Sequence, residues 1–118
     1  MTVNIKGKPK QFATAETEVS NEGETVETQS EVESVQIPES IAAPNGAALD
    51  AEVEFGLQSI IPTGDYQNIR VIVGIKCRCE ADSDIIDATF NICKDWVDEK
   101  ITSVIAEITN PPTPEINE

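Results

Sequence analysis

Two stretches in the second half of the chain alternate between apolar and polar residues. In residues 53–61 and again in residues 69–79 the odd positions are apolar, apart from Ser59, and most even positions are polar or glycine. This period of two is typical of a β-strand that buries one face. Pro, Thr, Gly and Asp at positions 62–65 predict a turn between the two strands. We therefore expect an antiparallel hairpin.

A third stretch predicts a long amphipathic helix from Asp84 to Ile108. Apolar residues recur there at steps of three or four, which places them on one stripe of a helix. The stripe consists of Ile86, Phe90, Cys93, Val97, Ile101, Val104 and Ile108. Asp and Ser in segment 80–84 suit the start of the helix, and Pro111 follows its end. The predicted fold is α+β: a small ββα unit over residues 51–109, in which the hairpin packs on one long C-terminal helix.

A ββα unit of this size has a thin hydrophobic core. Domains this small are marginal without a partner, a metal or disulfides. The predicted helix carries a second apolar flank beside its main stripe, formed by Ile85, Ile92, Trp96 and Ile105. We expect this flank to be an interface with another copy of the chain, so that a dimer or larger homo-oligomer completes the fold.

The first fifty residues differ in composition. Residues 1–10 hold three lysines and no acid, whereas residues 11–50 hold nine acids and no base. Positions 13–36 contain four sizeable apolar residues, Val19, Val26, Val32 and Val35. Glu or Thr alternates with Val in ETEV, ETVE and SEVES, and this period of two could indicate a strand. So little apolar surface, however, does not offset the ordering entropy of about 1–2 kcal/mol per residue. We expect residues 1–50 to form a disordered acidic arm with a basic start and residues 110–118 to form a Pro-rich tail, so that the ββα unit folds on its own.

Charge and composition limit the possible functions. The chain has 22 acidic and 8 basic residues, no histidine and a net charge of −14. Without histidine there is no Ser-His-Asp triad, no Cys-His pair and no His-containing zinc site. No other catalytic constellation is evident, so we expect no enzymatic activity and no cofactor. Strong acidity favours a basic protein partner over nucleic acid.

Hydropathy bears on localisation. No apolar run approaches the roughly 20 residues of a membrane span. The basic N-terminus is not followed by the apolar region of a secretory signal. We therefore expect no membrane partner and a cytoplasmic location, which is the host cytoplasm if the protein is phage-encoded.

The three cysteines allow more than one interpretation. Cys77 and Cys79 lie on the apolar face of the second predicted strand, and Cys93 lies on the apolar stripe of the helix. Three thiolates with an acidic fourth ligand would form a metal site, but zinc sites normally use C-x₂₋₄-C spacing and four Cys or His ligands. Free cysteine usually behaves as a small buried hydrophobe. We favour the second interpretation and predict no metal, and a disulfide between Cys79 and Cys93 remains an alternative.

A small basic stripe suggests a candidate nucleic-acid contact. Arg70, Lys76 and Arg78 share one face of the second predicted strand, and Tyr66 lies at the turn, where it could stack on a base. Basic sheets with aromatic platforms bind single-stranded nucleic acid. The alternative is cross-strand pairing of these cations with Glu52, Glu54 and Gln58.

Three functional hypotheses follow. The segment from Tyr66 to Ile108 resembles small accessory proteins of phages and mobile elements in having a short hairpin, a Trp-bearing helix and an acidic tail, and it contains no motif specific to one family. The favoured hypothesis is a non-enzymatic interaction protein that self-associates through the ββα unit and binds a basic protein partner with its disordered acidic arm. The alternatives are a DNA-mimicking inhibitor of a nucleic-acid-binding protein and a single-strand-binding accessory factor.

Overall fold

The computed structural model of the protein describes residues 11–23, 27–64 and 67–109. The side chains of Gln11 and Phe12 are not part of this description. Within these described ranges, four strands and two helices follow one another: β1 (Gln11–Glu22), β2 (Glu27–Ile37), α1 (Glu39–Ala42), β3 (Ala51–Gly64), β4 (Gln67–Cys79) and α2 (Ser83–Thr109).

The strands form one antiparallel sheet in the order β2-β1-β4-β3. The registers pair odd-numbered residues with odd-numbered residues: Val19 lies opposite Gln29 and Val71, and Phe55 lies opposite Ile75. The exception follows a register shift at the end of β3, where Gly64 lies opposite Gln67. Because side chains alternate along a strand, all odd positions of the sheet share one face and all even positions share the other. We call these the helix face and the open face.

The long helix α2 packs on the helix face, against β3 and β4. Its buried residues are Thr89, Cys93, Val97 and Ile101, which follow one another at steps of four. Phe90 meets Phe55 of β3 edge to face, with ring centroids 5.4 Å apart. The helix begins after Asp82, whose Oδ1 accepts hydrogen bonds from the backbone N–H groups of Asp84 and Ile85 at 3.0 and 3.3 Å. The core therefore lies between this helix and the odd-numbered residues of the sheet.

The α+β class is confirmed, but the prediction of a simple ββα unit is wrong, because the sheet has four strands. The segment expected to be a disordered arm supplies β1 and β2. In β1 the buried residues are small: Ala13, Ala15 and Thr17 are 1%, 0% and 6% exposed. In β2 the fully buried residue is Ile37, at the end of the strand. Because β1 lies between β2 and β4, it forms backbone hydrogen bonds on both sides, which a count of large apolar residues does not register.

Two further predictions concern the two ends of the chain. Residues 1–10 and 110–118 lie outside the described residues, so the basic start and the Pro-rich tail stay predictions. Within the described part of the chain, no helix is long and apolar enough to cross a membrane.

A buried carboxylate holds the connection between α1 and β3. Glu80 is 4% exposed and follows β4 directly. Its oxygens accept hydrogen bonds from the backbone N–H groups of Asn45 and Ala47, both at 3.0 Å, and from the side-chain amide of Asn45 at 3.1 Å. Its own N–H donates to the carbonyl of Ala42 at 3.0 Å. Burial acts to raise the pKa of Glu80, but these hydrogen bonds outweigh burial and hold the pKa below its ordinary value of 4.5.

We expect Glu80→Gln to lower the stability of the protein at neutral pH, and the difference from wild type to shrink in acid. A carboxyl group with a depressed pKa stabilises the fold above its unfolded-state pKa, and this contribution disappears as the pH falls through the lower folded-state pKa. Urea unfolding from neutral pH down to pH values below 4.5 checks the expectation. The control is Glu99→Gln on the exposed side of α2. Equal destabilisation by Glu80→Gln at all pH values would contradict this role of the charge.

Candidate functional site on the open face of the sheet

The open face carries a groove where two glycines meet. Gly74 of β4 lies opposite Gly56 of β3 on one side and opposite Glu16 of β1 on the other, and Glu16 in turn lies opposite Val32 of β2. One row of the sheet therefore reads Val32, Glu16, Gly74, Gly56. Because the two glycines have no side chains, the sheet is thin here and a trough forms over their backbone.

The trough is large enough for a side chain or a short extended segment. Its volume is about 510 Å³, and it is lined by Thr14, Glu16, Glu18, Val32, Glu54, Phe55, Gly56, Ile72, Gly74, Ile75 and Lys76. We call it the open-face groove. Val32 is 63% exposed, so an apolar side chain stands in solvent at the wall of the groove. The groove thus combines an apolar floor with carboxylates along one side.

The charges around the groove are not all neutralised. Lys76 and Glu54 form an ion pair at 3.3 Å across β4 and β3, and both side chains are more than half exposed. Glu16 and Glu18 on β1 have no ion-pair partner among the described residues. A strand rise of about 3.4 Å per residue places these two carboxylates on the same face, about 7 Å apart. The β1 side of the groove is therefore negative.

The structure shows what surrounds the predicted basic stripe. Arg70 pairs with Glu22 at 3.5 Å, Lys76 pairs with Glu54, and Nη2 of Arg78 donates to the carbonyl of Leu49 at 2.7 Å. All three cations thus have partners within the fold. The aromatic residue of this hypothesis, Tyr66, lies outside the described residues. Nucleic-acid binding by this stripe stays a prediction.

The predicted interface flank of α2 packs partly against the protein's own core. Its members are all partly buried: Ile85, Ile92, Trp96 and Ile105. The ammonium group of Lys100 lies 5.9 Å from the centroid of the Trp96 ring and pairs with Glu33 of β2 at 3.1 Å. Lys100 thus connects the helix α2 to β2, one of the two outer strands of the sheet. Self-association through this flank stays a prediction.

The three cysteines lie in the core between β4 and α2. Cys77, Cys79 and Cys93 form no disulfide among the described residues, and none is more than 1% exposed. A hydrogen bond with the Cys77 thiol, together with burial, raises the pKa of Cys93 far above its ordinary value, and burial raises the pKa of Cys79. Thiols of this kind stay protonated, and it is the thiolate that attacks or binds metal. In the described ranges, no three His, Cys, Asp or Glu residues are grouped so that they could hold a metal ion.

The open-face groove is not evident from the sequence pattern. Both glycines are visible inside the alternating strands, but only the register places them side by side. The composition of the segment that contains Glu16 and Glu18 predicts disorder, because β1 has few large apolar residues. The alternation in residues 16–19, ETEV, has the period of a strand, and small residues at the buried positions of β1 are the signal that supports it.

Known proteins give no further indication of the role of this chain. No protein-family model, no curated protein and no solved structure matches it.

Proposed function

We propose that the protein is a non-enzymatic interaction protein of the cytoplasm that self-associates and binds a basic segment of a partner protein in its open-face groove. The observation that carries the proposal is the pair of carboxylates of Glu16 and Glu18, which form no ion pair with any other described residue, beside an apolar groove floored by glycine. This combination suits the side chain of lysine or arginine, which has an apolar stem and a charged head.

The groove favours a basic side chain over a purely apolar one. The aliphatic stem would lie over Gly74 and contact Ile72 and Val32, and the charged head would reach the carboxylates of β1. Glu18 is partly buried, so a pair formed there would be less screened than one on a flat surface. The net charge of −14 adds long-range attraction for a basic partner and raises its rate of encounter.

The proposal predicts that a short synthetic peptide of alternating lysine and valine binds, and that Glu16→Gln/Glu18→Gln weakens binding about tenfold. Exposed ion pairs contribute up to about 1 kcal/mol each, so losing two corresponds to roughly one decade in affinity. Fluorescence anisotropy of the labelled peptide measures the effect. The matched control is Asp95→Asn/Glu99→Gln, which removes the same charge from exposed positions on α2. Equal weakening by both double variants would show that net charge alone attracts the peptide.

Gly74→Val is expected to fill the groove while the fold is kept, so that an effect on binding can be distinguished from an effect on stability. A Cβ at position 74 would come no closer than 3.8 Å to the carbonyl oxygen of Phe55, which is an ordinary contact. Valine also suits a strand better than glycine, so the variant should be at least as stable as wild type. We expect it to bind the peptide more weakly while its urea midpoint stays the same or rises. Unchanged binding would exclude the groove floor as the peptide site.

One observation favours a second candidate function, inhibition by DNA mimicry. Glu16, Glu18 and Glu22 share the open face of β1, so carboxylates stand on a rigid strand. Neighbouring members at a separation of two residues lie about 7 Å apart, about twice the 3.4 Å rise per nucleotide of a DNA strand. If the protein mimics DNA, duplex DNA of random sequence should displace it from its partner. If it binds a basic segment in the groove by a different surface of the partner, the DNA should not compete.

A further inference from the structure

The sheet has two outer strands, and they differ in how they are protected. Both β2 and β3 have a single neighbour in the sheet, so each presents one row of backbone groups that no described strand pairs. Such edges pair readily with another chain unless charges, prolines or bulges prevent it. β2 carries Glu27, Glu31 and Glu33 along its length.

The edge of β3 is uncharged over its middle. From Phe55 to Ile61 its sequence is FGLQSII, without a single charged residue. Ile60 is 49% exposed on the open face, and Phe55, Leu57 and Ile61 are partly buried on the helix face. Two copies with a net charge of −14 repel each other over most of their surfaces. The uncharged segment of β3 is a long edge at which they can approach without bringing carboxylates together.

We propose that two copies of the chain pair antiparallel through β3, with a two-fold axis at Gln58, so that their sheets join into one of eight strands. In this register Ile60 of each subunit lies opposite Gly56 of the other, and Phe55 lies opposite Ile61. Glu54 lies opposite Pro62, so no carboxylates of β3 face each other. Pairing of β2 with β2 about Val32 would instead place Glu31 opposite Glu33.

The register is chosen because it places the exposed side chain of Ile60 opposite Gly56, which has no side chain. Gly56 leaves space at the outer end of the open-face groove, and Ile60 is an apolar side chain that stands in solvent. Bringing them together across the axis buries Ile60 and closes that end of the groove with a residue from the second subunit. An axis at Leu57 would set Ile60 opposite the carboxylate of Glu54. This inference specifies the self-association in the proposed function and does not depend on what the groove binds.

Cross-linking tests the axis directly. In Gln58→Cys the two new thiols face each other across the two-fold, where paired Cα atoms lie about 4.5–5.5 Å apart, within the range of a disulfide. The three native thiols are buried, so mild oxidation should link the new ones alone. The matched control is Ser30→Cys, on the exposed face of β2 in the same row of the sheet as Gln58. We expect a covalent dimer from Gln58→Cys and little from Ser30→Cys.

Sedimentation velocity of the full chain tests the dimer without oxidation. Gln58→Lys sets two like charges opposite each other on the axis, and we expect it to weaken dimerisation about tenfold or more. Ser30→Lys makes the same charge change on β2 and should leave the dimer intact. Circular dichroism of each variant confirms that the fold is kept.

The outcomes are distinct. A wild-type chain that stays monomeric up to millimolar concentration overturns the proposal. A dimer that withstands Gln58→Lys, with no cross-link in Gln58→Cys, also overturns it, and Trp96→Ala then tests the flank of α2. Peptide binding is tested separately with the Glu16→Gln/Glu18→Gln variant. The proposal for the groove and the proposal for the dimer can therefore be contradicted independently of each other.

Discussion

A chain that begins at Ala51 should not fold. The deletion removes β1 and β2 and leaves β4 as an outer strand. Val71 and Val73, which are fully buried in the full chain, would then be uncovered on the side where β1 lay. The free energy of unfolding of a small domain is about 5–15 kcal/mol, and the loss of a central strand together with its neighbour exceeds what the remaining elements can supply. Circular dichroism and urea unfolding of residues 51–118 should show no cooperative transition.

Adding the missing strands in trans provides the control for this deletion. A synthetic peptide of residues 11–37 contains both strands and should restore the helical signal of the truncated chain when mixed with it. A truncated chain that unfolds cooperatively with the full-length midpoint would contradict the central place of β1, and would instead support the division into an arm and a ββα unit.

Ala15→Leu should destabilise the protein by about 1–3 kcal/mol, since enlarging a side chain in a filled core forces its neighbours out of their preferred positions. Ala15 is 0% exposed and lies between Glu33 of β2 and Ile75 of β4 on the helix face. Urea unfolding measures the change. The neighbouring Thr14 is exposed on the open face, so Thr14→Leu should stay within about 0.5 kcal/mol of wild type. Similar behaviour of the two variants would show that β1 is not packed under the helix.

Periodicity predicted three of the elements well. The strands predicted at 53–61 and 69–79 lie within Ala51–Gly64 and Gln67–Cys79, and the helix predicted at 84–108 lies within Ser83–Thr109. These segments carry large apolar residues at regular spacing. Thr89 was not among the predicted core positions, although it is fully buried, because a polar residue interrupts the apolar stripe.

The rest of the fold depends on contacts between distant segments. β1 and β2 contain mainly Ala, Thr, Glu and Ser, and they gain order from strand pairing rather than from a large apolar surface of their own. The same limit applies to the candidate site. Gly56, Gly74 and Glu16 come from three strands, and the register that brings them together cannot be predicted from one sequence, because it depends on how distant strands pair.

The strand order also has a consequence for how the protein folds during synthesis. The hairpins β1–β2 and β3–β4 join neighbours in the chain, whereas the central pair β1–β4 joins distant residues such as Val19 and Val71. Contacts of large sequence separation form slowly, so docking of the two hairpins should limit the folding rate. The N-terminal hairpin leaves the ribosome first and has to wait for β4. Its glutamates and small side chains keep it soluble and resistant to aggregation during that interval.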